Sequence, residues 1–113
     1  MHDEPRIPIA CTLSSDQATD RQDEFFELFS THLRELTRPA PRQARLVFEP
    51  AAAIEDATRD LFARERECCA FFDFGVQRQG TQLIVYAQVP AGAEDNLDGL
   101  VTIAGRAAPL ALA

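Results

Sequence analysis

Apolar residues recur along this chain at two spacings, and the switch between them marks out the elements. Ala18, Phe25, Leu28, Phe29 and Leu36 fall within about 60° of one direction at helical spacing, with Phe26 and Leu33 at the margins. That pattern predicts a long amphipathic helix, capped among Thr12, Ser14 and Ser15 and closing at Thr37-Arg38-Pro39. Ser14 with Gln17 three residues on fits a capping box. After a proline loop, Ala44 to Glu49 predicts a short strand that Pro50 ends. From Ala51 to Ala70 a second helical stripe of Ile54, Ala57, Thr58, Leu61, Cys68 and Phe72 opposes a charged face of Glu55, Asp56, Arg59, Asp60, Arg66 and Glu67. Phe72–Arg78 and Thr81–Val89 then predict two strands of a hairpin around Gln79-Gly80. Leu97, Leu100, Val101 and Ala104 predict a weaker third helix between Glu94 and Gly105.

This order implies an α+β fold: a small, mostly antiparallel sheet with two long helices and a weaker C-terminal helix on one face. With 113 residues, the chain is expected to form a single domain that needs no disulfide staples. Ile7 to Cys11 reads as an extended lead-in, and residues 1–8 and 107–113 are expected to fray.

Composition narrows the function classes. A hydrophobic content of 46% with 26% charged residues is that of an ordinary globular protein. The net charge of −7, with no basic stripe, argues against nucleic-acid and anionic-membrane partners. All 11 basic residues are arginine, which excludes a Schiff-base lysine. The acidic start carries no apolar signal region, and no stretch approaches the roughly 18 apolar residues of a membrane span. The chain is therefore expected in the cytoplasm, where thiols stay reduced.

Within that frame the three cysteines stand out. Cys68 and Cys69 are adjacent at the end of the second helix, and Cys11 precedes the first. One cysteine plus a distant adjacent pair matches no disulfide framework and favours a ligand or redox role. Thiolates select soft ions, and adjacent ones suit two- or three-coordinate ions better than tetrahedral zinc. At about 100° per residue Cys68 is expected to face the core and Cys69 the edge of the stripe, so a shared ion requires the helix to end there. Phe71, Phe72 and Phe74 would wall such a site from water. Cys11, at a helix N-terminus, sits where backbone N–H groups favour a thiolate. Against this stands the plain reading that all three cysteines merely pack.

Glu65 breaks the apolar stripe and must find a cation, a proton or a metal. Arg21 points the same way from the first helix, so an Arg21–Glu65 pair is expected, with two side chains reaching to solvent as its rival. His32 reads as a hydrogen-bonded core residue rather than a ligand. Asp73 and Glu65 are the two acids that could protonate a leaving carbanion if a metal–carbon bond were cleaved, although an acid at a helix-to-strand junction is usually a turn former.

The segments Ala10-Cys11-Thr12-Leu13-Ser14, Arg21 and Glu65-Arg66-Glu67-Cys68-Cys69-Ala70-Phe71 resemble a set of small uncharacterised bacterial proteins that carry C-[ST]-L, an arginine ten residues on, and E-x-x-C-C-x-F. Some of these are associated with mercury-resistance-type regulators. The resemblance spans about residues 9 to 100 and matches Cys11, Arg21, Glu65, Cys68, Cys69 and Phe71. It implies heavy-metal context and no established activity.

The leading expectation is a cytosolic protein that binds a soft metal or metalloid ion, Hg(II), Cu(I), As(III) or Zn(II), or a small thiophilic ligand. Cys11, Cys68 and Cys69 would be its ligands, with Glu65 and Arg21 around them. The alternatives are a thiol enzyme and a non-catalytic interaction module. The enzyme is either an oxidoreductase cycling a Cys11–Cys69 disulfide or a metal–carbon lyase using Glu65 or Asp73. The module would form a homodimer through the hairpin edge.

Overall fold

The computed structural model describes residues 15–69 and 71–111. The lead-in Ile7 to Cys11, the Ser14 cap and residues 1–8 lie outside the described residues. Helix α1 spans Ser15–His32, followed by strands β1 (Leu33–Ala40) and β2 (Gln43–Phe48). Helix α2 spans Ala51–Cys68, then come β3 (Asp73–Gln79), β4 (Gln82–Gln88) and α3 (Glu94–Ala107). A helix followed by a hairpin thus occurs twice, and the hairpins join at their inner strands into one antiparallel sheet of order β1-β2-β4-β3.

Alternation in the strands puts one sheet face into the core. Ala44, Leu46 and Phe48 of β2 stand opposite Ala87, Val85 and Leu83 of β4, and all six are buried. They belong to one core with Phe25 and Phe29 of α1, Leu61 and Phe62 of α2, and Leu97, Leu100 and Ala104 of α3. All three helices therefore cover the same face, as an α+β fold of this kind requires. Val47 and Ile84 point to the other face and are buried there too.

The main departure from the sequence pattern is β1. Leu33 and Leu36, three apart, read as further turns of α1, but the helix stops at His32. In the register, Leu33 faces Phe48 and Glu35 faces Val47, so β1 carries one extra residue there. This bulge turns a spacing of three into two leucines on the same side of a strand, and both are buried. Glu49 N–H donates to the His32 carbonyl at 3.0 Å, and His32 Nδ1 lies 3.1 Å from the Glu49 carbonyl, closing the corner.

The second hairpin turns at Gly80 and Thr81 between the paired Gln79 and Gln82, with Gly80 at φ 63°, a conformation that favours glycine. The alanine-rich tail forms a 3-10 turn at Pro109–Ala111, with Ala111 buried. Among the described residues no helix is long and apolar enough to cross a membrane.

Seven of the eight phenylalanines form an unbroken chain of ring contacts, Phe48–Phe29–Phe25–Phe62–Phe74–Phe72–Phe71, with centroids 4.8 to 5.8 Å apart. The chain runs from the centre of the sheet to the end of α2, where Cys68 and Cys69 sit.

Candidate thiol site

The buried stripe of α2 is Ala51, Ile54, Thr58, Leu61, Phe62 and Glu65. At about 100° per residue its centre falls near Thr58 and Glu65, not near Leu61 and Cys68. Ala57, expected on the stripe, is exposed, and Phe62 takes its share of the core. This rotation reverses the expected roles of the adjacent cysteines. Cys69 is fully buried, whereas Cys68 is only partly so.

The helix does end at the pair, as a convergent site requires. Cys69 leaves the helical region at φ −126°, ψ 81°, while its N–H still donates to the Glu65 carbonyl at 2.8 Å. Phe72 N–H donates to the Cys69 carbonyl at 3.0 Å, and Arg66 Nε donates to the Phe72 carbonyl at 3.3 Å. The turn after the helix is thus pinned from both sides. Arg66 was read from sequence only as part of the charged face.

The Arg21–Glu65 pair across the helices is present. Arg21 Nη1 donates to Glu65 Oε1 at 2.9 Å and also reaches Cys68 Sγ at 3.6 Å. Glu65 is fully buried, and among the described residues its second oxygen, Oε2, has no hydrogen-bond partner. Burial raises the Glu65 carboxyl to about 7, against the hydrogen bond and charge of Arg21, which pull it down. A guanidinium, a carboxyl that changes protonation near neutrality, and a sulfur therefore share one turn of α2.

The two cysteines of that turn differ in oxidation state: Cys69 is disulfide-bonded and Cys68 is a thiol. Cys11, expected as a third ligand, lies outside the described residues. A sulfur committed to a disulfide is no thiolate donor, so in this state the pair does not fit a soft ion. Among the described residues no group of three His, Cys, Asp or Glu side chains is placed to hold a metal.

The other candidates lie apart. Asp73 is exposed at the start of β3, in a groove of about 470 Å³ shared with Arg45, Phe74 and Tyr86. Of the two candidate acids, Glu65 is therefore the one joined to Cys68 through Arg21. His32 is held at the Glu49 carbonyl and lines a cleft of about 510 Å³ between α1 and α2 with Glu27, Leu28, Ile54 and Leu61.

Comparison with family models, with curated proteins and with solved structures found no match.

Proposed function

We propose that the chain is a thiol–disulfide redox protein: Cys69 cycles between disulfide and thiol, and Cys68 is the thiol that meets reactants. The observation that carries this reading is the contrast within one turn. Cys69 is oxidised and buried, while its neighbour Cys68 keeps its thiol beside the Arg21 guanidinium. Arg21 Nη1 donates to the Cys68 sulfur at 3.6 Å and holds it at the end of the turn, where it can take part in exchange. The sequence holds one further cysteine, Cys11. Glu65 supplies a proton acceptor or donor next to the exchanging sulfurs.

Thiol titration tests this reading. Protein purified without reductant should show one reactive thiol, assigned to Cys68 by alkylation and peptide mapping. After treatment with a dithiol it should show three, and controlled re-oxidation should restore one. Three thiols persisting after oxidation, or alkylation landing on Cys69 in the untreated chain, would remove the redox assignment.

A further inference from the structure

We propose that opening the Cys69 disulfide turns the end of α2 into a binding site for a soft, low-coordinate cation, with Cys68 and Cys69 as thiolate ligands and the oxidised chain as the closed form. The inference rests on the redox reading above and deepens it by naming the ligand and its control.

Position comes first. Glu65 stands three residues before Cys68 and four before Cys69, one helical turn from each, and α2 ends at the pair, where Cys69 leaves the helical region at φ −126°, ψ 81°, so the two sulfurs are not held to the separation of helical neighbours. The hydrogen bond from Cys69 N–H to the Glu65 carbonyl shows that the ladder holds to the last of the three. Arg21 Nη1 contacts both Glu65 and Cys68, so the turn is gathered around a single guanidinium.

Unsatisfied polarity is a second and independent sign. Glu65 Oε2 is fully enclosed and has no partner among the described residues, although its sister oxygen is well held. Buried polar atoms are nearly always paired, so an orphan at such a turn marks a neighbour that another state supplies. A thiol or an ion-bound water beside the opened pair would fill that role.

Charge then selects the ligand. A divalent soft ion held by two thiolates is neutral. The enclosed turn thus acquires no net charge, which burial would penalise. Hg(II) meets this condition with two sulfurs. Zinc prefers four ligands in a closed site, more than the two sulfurs of this turn provide.

Control follows from the disulfide. A dithiol reductant attacks one disulfide sulfur through a thiolate, and the other sulfur leaves as a thiolate and takes a proton. The reductant's second thiolate then attacks its own first sulfur in the mixed disulfide, which closes the reductant's internal disulfide and releases the chain's remaining sulfur as a thiolate that takes a proton. The reductant ends oxidised by two electrons, and the chain gains two thiols. Ion binding displaces the protons of Cys68 and Cys69 to solvent.

The test uses the full chain in oxidised and dithiol-reduced forms, freed of reductant, with Hg(II) added in the presence of excess glutathione. Bound metal is read by native mass spectrometry and by sulfur-to-mercury absorption. The reduced chain should hold one Hg(II), and the oxidised chain should lose the ion to glutathione. Affinity should differ by about a hundredfold or more, the advantage of a second ligand on the same turn. Cys68→Ser should abolish retention. Should that variant fold poorly, alkylating Cys68 in the folded oxidised chain before reduction should abolish retention as well. Equal retention by both redox forms, or none by the reduced form, overturns the inference. Thiols counted on the same samples separate the two failures: if reduction adds two thiols and no ion is held, only the ion site falls, and if none are added, the redox reading falls with it.

Discussion

Two glutamates of helix α2, Glu55 and Glu65, are paired with arginines, and the two pairings differ mainly in their contact with water. On the outer face Glu55 accepts from Arg59 at 3.0 Å and from Arg78 at 3.2 Å, and all three side chains reach solvent. On the inner face Glu65 accepts from Arg21 at 2.9 Å, with the carboxylate fully enclosed. The pairing chemistry is the same, yet the carboxyls move in opposite directions. The Arg59 hydrogen bond, helped by Arg78, holds Glu55 below the usual carboxylate range, whereas burial lifts Glu65 to about 7 despite its arginine. Desolvation therefore outweighs a well-formed ion pair at Glu65. Enclosed titrating groups beside a sulfur are a mark of functional sites, whereas the outer cluster is ordinary surface pairing.

The largest effect should come from removing the cation on the inner face. Arg21→Met leaves a buried carboxylate uncompensated and should cost about 3 kcal/mol of unfolding free energy at pH 8. The loss should shrink toward pH 5, where Glu65 takes up a proton. Adding Glu65→Leu should recover most of it, because a buried pair exchanged for apolar groups of similar volume is often neutral. Urea unfolding of both variants at the two pH values reads this directly. A loss under about 1 kcal/mol for Arg21→Met at pH 8 would mean that the inner face is as wet as the outer one.

Next in size is the pH dependence of stability, where the two glutamates should pull in opposite directions. The folded chain holds a proton on Glu65 more tightly than the unfolded chain, because burial raises this group from 4.5 to about 7. Its contribution to stability is complete below about pH 4.5 and declines as pH rises to about 7, by about 3 kcal/mol in all. Glu55, lowered, contributes above its unfolded value and loses that contribution as pH falls. Glu65→Gln should flatten the decline across pH 5 to 7 in a series of urea midpoints, while Glu55→Gln should leave it in place. A decline that persists in Glu65→Gln assigns it to another group.

How much of this was legible in the sequence depends on whether local spacing or long-range register decided the matter. Arg21 and Glu65 were readable as a pair because each interrupts an apolar helix face, and a charge there needs a partner. The three-helix, antiparallel architecture followed from periodicity alone. Strand β1 did not, because its bulge makes Leu33 and Leu36 mimic helical spacing, and a bulge is set by the partner strand. The cysteine roles reversed for a related reason. Taking Ala57 rather than Phe62 into the stripe of α2 rotated it by roughly half a turn's sector, which moved Cys68 inward and Cys69 outward. The size of Phe62 was the available signal, since a phenylalanine next to Leu61 competes for the core more strongly than an alanine. The oxidation state of Cys69 had no local signature at all.

A smaller effect concerns reactivity. Arg21→Met should slow alkylation of Cys68 several-fold at pH 7, because the guanidinium that contacts the sulfur at 3.6 Å no longer orients it. Arg59→Met, on the outer face, should leave the rate unchanged. Rates followed by mass spectrometry separate a local effect from general loosening, which would also expose other buried residues. Equal slowing in both variants would count against a special environment at Cys68.

The smallest effect sharpens the comparison from the other side. Arg64 also bridges α2 to α1, donating to both oxygens of Glu24 at 2.9 and 3.1 Å and to Asp60 at 2.8 Å. It makes more hydrogen bonds to carboxylates than Arg21 does, but it lies at the surface, where water solvates the separated charges nearly as well. Arg64→Gln should therefore change the unfolding free energy by no more than about 0.5 kcal/mol, and the change should vanish in high salt, which screens exposed pairs. The loss in Arg21→Met should survive the same salt, because the ions cannot reach the enclosed carboxylate. If Arg64→Gln proved as costly as Arg21→Met, the link between helices rather than the exclusion of water would be what sets Glu65 apart, and the contrast between the two faces of α2 would no longer identify its inner turn as a site.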